Sequence, residues 1–173
     1  MPIKNRDKEL EEIYTLYRAY ITHEDGLVNQ RTTWLVTIQS FLLATFGFSY
    51  QKKYEVAEKL SAHIPPLDSL GAVTTEYNLF LLILAIVGFL IGAFAFVSIY
   101  AAVMATRAVE ANWRQQLVGQ NFRYLPDITG GGNSRASRYG IILSLWTPVF
   151  FIGMWLVAIF LLVLVVSVQL HQR

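Results

Sequence analysis

The polar side chains that could carry chemistry in this chain are few, and the strongest of them is Gln39. It lies in a run, residues 32–51, that contains no Asp, Glu, Lys, Arg or His, and Thr33, Thr37 and Ser40 occupy neighbouring turns. An amide or hydroxyl in a long apolar segment bonds to a neighbouring helix or, where several subunits meet, lines a polar pore. Thr33, Thr37, Gln39 and Ser40 are therefore candidates for both roles.

The remaining polar residues favour neither catalysis nor metal binding. The chain has no cysteine, which excludes disulfides, thiolate nucleophiles and cysteine-ligated metals. His23, His63 and His171 are far apart in the sequence, unlike the short spacings of a zinc site. The glycine run at 130–132 follows no predicted strand and precedes no Lys-Ser or Lys-Thr pair, so it is interpreted as a linker. We predict no enzyme activity, no metal and no cofactor.

The longest apolar run decides which kind of element positions these residues. Residues 77–106 contain no Asp, Glu, Lys, Arg or His, and as a helix they would cover roughly 45 Å, more than the ~30 Å hydrocarbon core of a bilayer. In the whole chain of 173 residues, 54% are hydrophobic and 15% are charged, whereas about a quarter are charged in soluble domains. The sequence therefore predicts an all-α membrane protein.

Two more runs without charge predict two more spans. As helices, residues 32–51 would cover roughly 30 Å and residues 139–170 roughly 48 Å. Pro148 predicts a bend in the last span, with Ser144 helping to satisfy the backbone. Residues 68–75 are interpreted as a loop. The predicted divisions are a cytoplasmic amphipathic helix 1–26, a first span 27–51, an extracytoplasmic helix and loop 52–77, a second span 78–105, a cytoplasmic helix and Gly-rich linker 106–139, a third span 140–170 and a tail 171–173.

The first segment has the pattern of an amphipathic helix. Its apolar residues recur at three- and four-residue steps; they are Leu10, Ile13, Tyr14, Tyr17 and Ile21. Such a helix lies on the membrane surface, packs on a neighbouring subunit or docks a protein partner. Gly26 is predicted to interrupt the helix before the first span.

The distribution of charge predicts the orientation. With three spans, the N-terminal segment and the second connection lie on one side and carry ten of the 14 Lys and Arg residues, against four on the other side. Because cytoplasmic segments carry the surplus of Lys and Arg, a cytoplasmic N-terminus is predicted. The formal net charge of +2 is too small to indicate nucleic-acid binding.

Cationic and aromatic side chains gather at the predicted cytoplasmic ends of the first two spans. They are interpreted as headgroup anchors or as a site for an anionic lipid or nucleotide. These residues are Arg31, Trp34, Arg107, Trp113 and Arg114.

Two lines of small residues predict close packing of helices. The second span carries Ala85, Gly88, Gly92, Ala95, Ala102 and Thr106, and the first carries Thr33, Thr37, Ser40, Ala44 and Gly47. In lipid, close approach of backbones over small side chains is what allows helices to associate. We expect the two lines to pack on each other within one chain or, alternatively, between subunits of a homo-oligomer.

Two segments resemble a known group of proteins. Residues 29–43, preceded by His23, Glu24 and Asp25, are similar to the opening of a group of small bacterial membrane proteins of unknown function, and residues 148–155 resemble their final helix. The resemblance implies a bacterial inner-membrane location and no particular activity. The layout is also similar to that of short bacterial effectors that form pores in phage defence.

Two functions follow as expectations. The first is a homo-oligomeric channel or pore in the lipid bilayer. The second is a non-conducting structural or regulatory subunit that binds a protein partner through its cytoplasmic helices.

Overall fold

The chain folds into three long α-helices in a computed structural model. The structure describes residues 3–62, 67–117 and 135–171, and these are helical throughout: α1 is Ile3–Ala62, α2 is Leu67–Leu117 and α3 is Arg135–His171. The predicted all-α class is confirmed. Contacts divide the chain into two compact units, unit 1 with Met1–Thr33 and Phe96–Trp146, and unit 2 with Trp34–Ala95 and Thr147–Arg173.

Two predicted interruptions are wrong, and each was based on a glycine. α1 continues through Gly26, and α2 begins at Leu67, so the predicted loop around Gly71 is helical. One glycine costs a helix only about 1 kcal/mol relative to alanine, which a long helix with many other contacts tolerates.

The structure describes the connections between the predicted spans only in part. The extension predicted beyond Thr106 is confirmed, because α2 continues to Leu117. The predicted Gly-rich linker, including residues 130–132, lies outside the described residues, as do His63 and the last two residues.

α3 contains Pro148 and is continuous through it. A proline has no N–H for the carbonyl four residues earlier, which here belongs to Ser144. The Ser144 hydroxyl donates to the Gly140 carbonyl at 3.1 Å. The Ser144 hydroxyl therefore bonds to the Gly140 carbonyl, and not to the Ser144 carbonyl that Pro148 cannot pair with.

Two of the three helices are long and apolar enough to cross a membrane. The segments are Val73–Gln115 in α2 and Ile142–Val168 in α3, and only 22% and 11% of their most apolar windows are buried. An apolar core helix of a soluble protein would be buried on most sides, so this exposure favours a lipid environment. Among the described residues, α1 is not equally apolar, because its uncharged run contains Gln39 and several hydroxyls.

Unit 1 is organised around Trp113 of α2. The indole is 2% exposed, and the rings of Tyr14 and Tyr17 lie 5.8 and 5.3 Å from it, both tilted. Ile21 and Val109 complete the cluster. Part of the apolar face predicted for the N-terminal segment therefore packs on α2 of the same chain, where its aromatic area is buried.

Unit 2 contains the closest helix packing. Ala85, Gly88 and Gly92 are buried along one face of α2. A methyl group at position 88 would overlap the Trp155 indole, and one at position 92 would lie 3.0 Å from Ile152 Cγ1. The small residues of α2 therefore make room for side chains of α3.

The line of small residues in α1 lies elsewhere. Thr33, Thr37, Ser40, Ala44 and Gly47 are all exposed, and a side chain at position 47 would meet no atom within 4 Å. Within one chain, the predicted packing of the two lines on each other is therefore wrong. The space beside the α2 glycines is filled instead by larger side chains, the Trp155 indole and the Gln39 amide.

Candidate functional site

A buried hydrogen-bonded site in unit 2 is formed by Gln39, Gly88 and Trp155, which we call the polar node. Gln39 Nε2 donates to the Gly88 carbonyl oxygen at 2.9 Å, and Gln39 Oε1 accepts from Trp155 Nε1 at 2.6 Å. The Gln39 side chain is 0% exposed. Each of the three helices thus supplies one group to the node.

The chemistry of the three groups fixes how they pair. A carbonyl only accepts and an indole N–H only donates, so the amide satisfies both by directing its nitrogen to Gly88 and its oxygen to Trp155. Glycine at 88 provides the room for the indole. Phe46 closes another side of the ring, edge-on at 5.6 Å. An unsatisfied polar group costs several kcal/mol in lipid, so the pairing stabilises the packed helices.

The node brings together Gln39 but not the other predicted polar candidates. The Thr33 hydroxyl donates to the Asn29 carbonyl at 2.9 Å, and the Ser40 hydroxyl donates to the Val36 carbonyl at 2.8 Å. Both bonds stay within α1, and Thr37 is exposed on the same helix. In this arrangement Gln39 joins helices, and the hydroxyls satisfy their own backbone.

A second buried polar contact in unit 2 was missed by the sequence reasoning. Lys53 is only 9% exposed, and its Nζ donates to Asn78 Oδ1 at 2.6 Å. The ammonium also lies 5.9 Å from the centre of the Tyr54 ring. One signal was present, because Asn78 lies seven residues before Ala85 and thus continues the buried line of α2. Trp155, by contrast, had no signal of its role in the local sequence.

The residues predicted as an anion or lipid site have different surroundings. Trp113 belongs to the core of unit 1, while Arg107 and Arg114 are exposed. Arg31 is half-buried, and its Nη1 donates to the Ser98 carbonyl at 3.0 Å within unit 1. Trp34 is exposed. The indole of Trp113 is buried because two tyrosines of α1 cover it, which the local sequence around it does not reveal.

Titratable groups next to the uncharged run of α1 form an ion pair. Lys52 Nζ contacts Glu55 Oε2, and both side chains are exposed to solvent to a large extent. The hydrogen bond and the opposite charge lower the pKa of Glu55 and raise the pKa of Lys52. Exposure limits what this pair contributes to stability.

Metal ligands are not grouped in the part of the chain that the structure describes, where no three His, Asp or Glu side chains lie together. His23 is exposed, and the side chains of His63 and His171 lie outside the described set. A comparison of the chain with models of protein families, with curated proteins and with solved structures found no match.

Proposed function

We propose that the protein is a multi-pass membrane protein with three spans, in which α1 contributes the first span, in addition to those in α2 and α3. Two features support a span at 27–51. Its Ser40 and Thr45 hydroxyls donate to carbonyls one turn back, each at 2.8 Å, and Gln39, the amide in the middle of the segment, is bonded at both ends. Polar groups that are satisfied inside the protein do not oppose transfer into lipid.

Within that membrane protein, the proposed role is that of a non-conducting structural or regulatory subunit. The burial of Gln39 carries this choice over the channel. A pore-lining amide must face water, but this one is 0% exposed and uses its donor and acceptor on Gly88 and Trp155. The polar residue best suited to line a pore is thereby occupied in holding helices together.

The charged end of α1 supplies the proposed partner surface. Ile13, Leu16 and Tyr20 follow one another at three- and four-residue steps and are 39%, 70% and 46% exposed. They lie among charged residues such as Glu12 and Arg18, outside the predicted span. An exposed apolar stripe in a polar segment is typical of a protein-binding helix.

Location and assembly complete the proposal. The resemblance of residues 29–43 and the surplus of Lys and Arg in the N-terminal segment and second connection support a bacterial inner membrane with the N-terminus in the cytoplasm. Several copies are proposed to assemble, because the exposed small residues of α1, such as Ala44 and Gly47, allow close approach of another helix.

The proposed role is tested first by conductance. Purified full-length protein in planar bilayers should be silent. Currents that change when Gln39 is replaced by leucine would favour the channel and contradict the subunit.

Partner binding is tested by affinity capture from membranes. Leu16→Glu with Tyr20→Glu should remove a defined partner that wild type retains. Glu11→Gln on the same helix is the matched control, because it changes an exposed residue and keeps the apolar stripe. An identical set of captured proteins for all three chains would rule out this surface.

A further inference from the structure

Two cationic side chains of α1 each bond to α2, and they stand at opposite ends of the uncharged run. Arg31 Nη1 donates to the Ser98 carbonyl at 3.0 Å, and Lys53 Nζ donates to Asn78 Oδ1 at 2.6 Å. Both acceptors are neutral oxygens. The ion pair next to Lys53 joins Lys52 to Glu55 instead.

The spacing of these contacts matches the thickness of a membrane. At the rise of an α-helix, the 22 steps from Arg31 to Lys53 cover roughly 33 Å of α1. The 20 steps from Asn78 to Ser98 cover roughly 30 Å of α2. The hydrocarbon core of a bilayer is about 30 Å thick, so the interval between the two contacts is close to that thickness on both helices.

The donors of both cations suit the phosphate layer of a membrane. A guanidinium has five N–H donors and an ammonium has three, while each hydrogen bond above uses one. A charge that is removed from water is costly unless it is paired, and lipid phosphates provide charged acceptors at the edge of the hydrocarbon core. The Tyr50 and Tyr54 hydroxyls, 2.9 Å apart at the Lys53 end, are also typical of that layer.

We infer that Arg31 and Lys53 mark the two phosphate layers of the bilayer, so that hydrocarbon covers residues 32–51 of α1 and residues 79–97 of α2. This inference rests on the proposed span in α1. With this placement, the middle of the membrane lies at Gly88 of α2. If the membrane were instead centred on the uncharged run 77–106, its middle would lie between positions 91 and 92. Residues 98–106 of α2, although uncharged, then lie at the headgroups or beyond them.

Thiol labelling distinguishes the two placements, because the chain has no cysteine and each variant carries one thiol. Leu79→Cys and Tyr100→Cys are suitable, since both side chains are exposed, 58% and 49%. The full chain is reconstituted in phosphatidylcholine–phosphatidylglycerol vesicles, with both leaflets made accessible to a charged maleimide. Rates are divided by those measured in denaturing detergent. Val87→Cys is the buried-in-lipid control, and Tyr20→Cys is the water control.

The inferred placement expects Leu79→Cys to react at least tenfold more slowly than Tyr100→Cys. The reverse order overturns it in favour of a membrane centred on the uncharged run. Protection of both thiols also overturns it, because the whole run would then be embedded. Phe41→Cys tests the proposed span in α1 separately. Rapid labelling at position 41 would contradict that span, whatever the α2 variants show.

The part played by Arg31 is tested by adding Arg31→Leu to Tyr100→Cys. Without the cation, the uncharged run of α2 should be drawn further into lipid, and labelling of position 100 should fall severalfold. Arg107→Leu, which removes an exposed arginine of α2, is the control and should leave position 100 reactive. Unchanged labelling in the Arg31 variant, with Phe41→Cys still protected in the same background, overturns the role of Arg31 as a marker.

Discussion

Unit 1 and unit 2 each contain a buried tryptophan, and the two are held in different ways. Trp113 in unit 1 lies among other large side chains, with the rings of Tyr14 and Tyr17 within 6 Å of its own. Trp155 in unit 2 lies against a glycine and is bonded to an amide. Trp113 is therefore held by burial of aromatic surface, and Trp155 by close packing against Gly88 and a hydrogen bond.

The difference corresponds to the surroundings expected for each helix segment. In water, burial of apolar area is the main source of stability. In lipid, apolar area gains little from leaving the acyl chains, so close packing and interhelical hydrogen bonds take over. The α1 segment that covers Trp113 is rich in charge, and the segments around Trp155 are nearly uncharged. The kind of contact therefore follows the solvent that each segment is suited to.

The largest expected effect is at Trp113. Trp113→Ala should destabilise unit 1 by about 3–5 kcal/mol, because it removes the side chain that two tyrosines and Ile21 cover. Hydrogen exchange of the amides of residues 14–21 in reconstituted protein measures the loss. Trp146→Ala is the control, since that side chain is exposed and its removal should change protection little. Equal effects of the two variants would contradict an aromatic core.

The next effect is at the glycine beneath Trp155. Gly88→Ala places a methyl group in the indole, and overpacking of this kind costs about 1–3 kcal/mol. Thermal unfolding in nanodiscs measures it. Gly153→Ala is the matched control, because a side chain there meets nothing within 4 Å. Replacing Trp155 with leucine in the Gly88→Ala background should recover part of the loss, and a loss independent of residue 155 would refute the fit.

A smaller effect is expected for the hydrogen bond from Trp155 to Gln39. This bond should contribute about 1 kcal/mol, within the range for interhelical hydrogen bonds in membranes, although Gln39→Leu also removes the bond to the Gly88 carbonyl. A double-mutant cycle with Trp155→Phe isolates it, because either change removes the same bond. The coupling should be clearly non-zero. Additive losses in the cycle would mean that the 2.6 Å contact contributes nothing.

The smallest effect is expected at the exposed Lys52–Glu55 pair. Because the pKa of Glu55 is lowered, its stabilisation is present above the ordinary carboxyl pKa of 4.5 and is lost as the pH falls through the lowered value. Because the pKa of Lys52 is raised, its share is present below 10.5 and is lost as the pH rises through the raised value. Thermal midpoints of wild type and Glu55→Gln should therefore be flat from about pH 6 to pH 8, and a slope confined to wild type would contradict this.

The sequence predicted the local features of the fold because they depend on local patterns. Uncharged runs and the spacing of the small residues of α2 are both recognised from residues within a few turns of helix. The interruptions predicted at Gly26 and Gly71 were wrong because a glycine weakens a helix without ending it, and packing decides whether the helix continues.

The node could not be predicted in full, because its partners are distant in the chain. Gln39 and Trp155 are 116 residues apart, and spacing within one helix does not state which neighbour it meets. The periodic line in α1 was therefore assigned to the wrong face. Gln39 itself could be singled out, because an amide in the middle of an uncharged run must find a partner in lipid.

The fit between Gly88 and Trp155 also restricts how homologous chains can diverge. A family member with a bulkier residue at the first position is expected to carry a smaller one at the second, so the two sites should change together across generations. Where the indole is lost, selection for an amide at position 39 should relax as well. An alignment of related sequences should therefore show correlated substitutions at positions 39, 88 and 155.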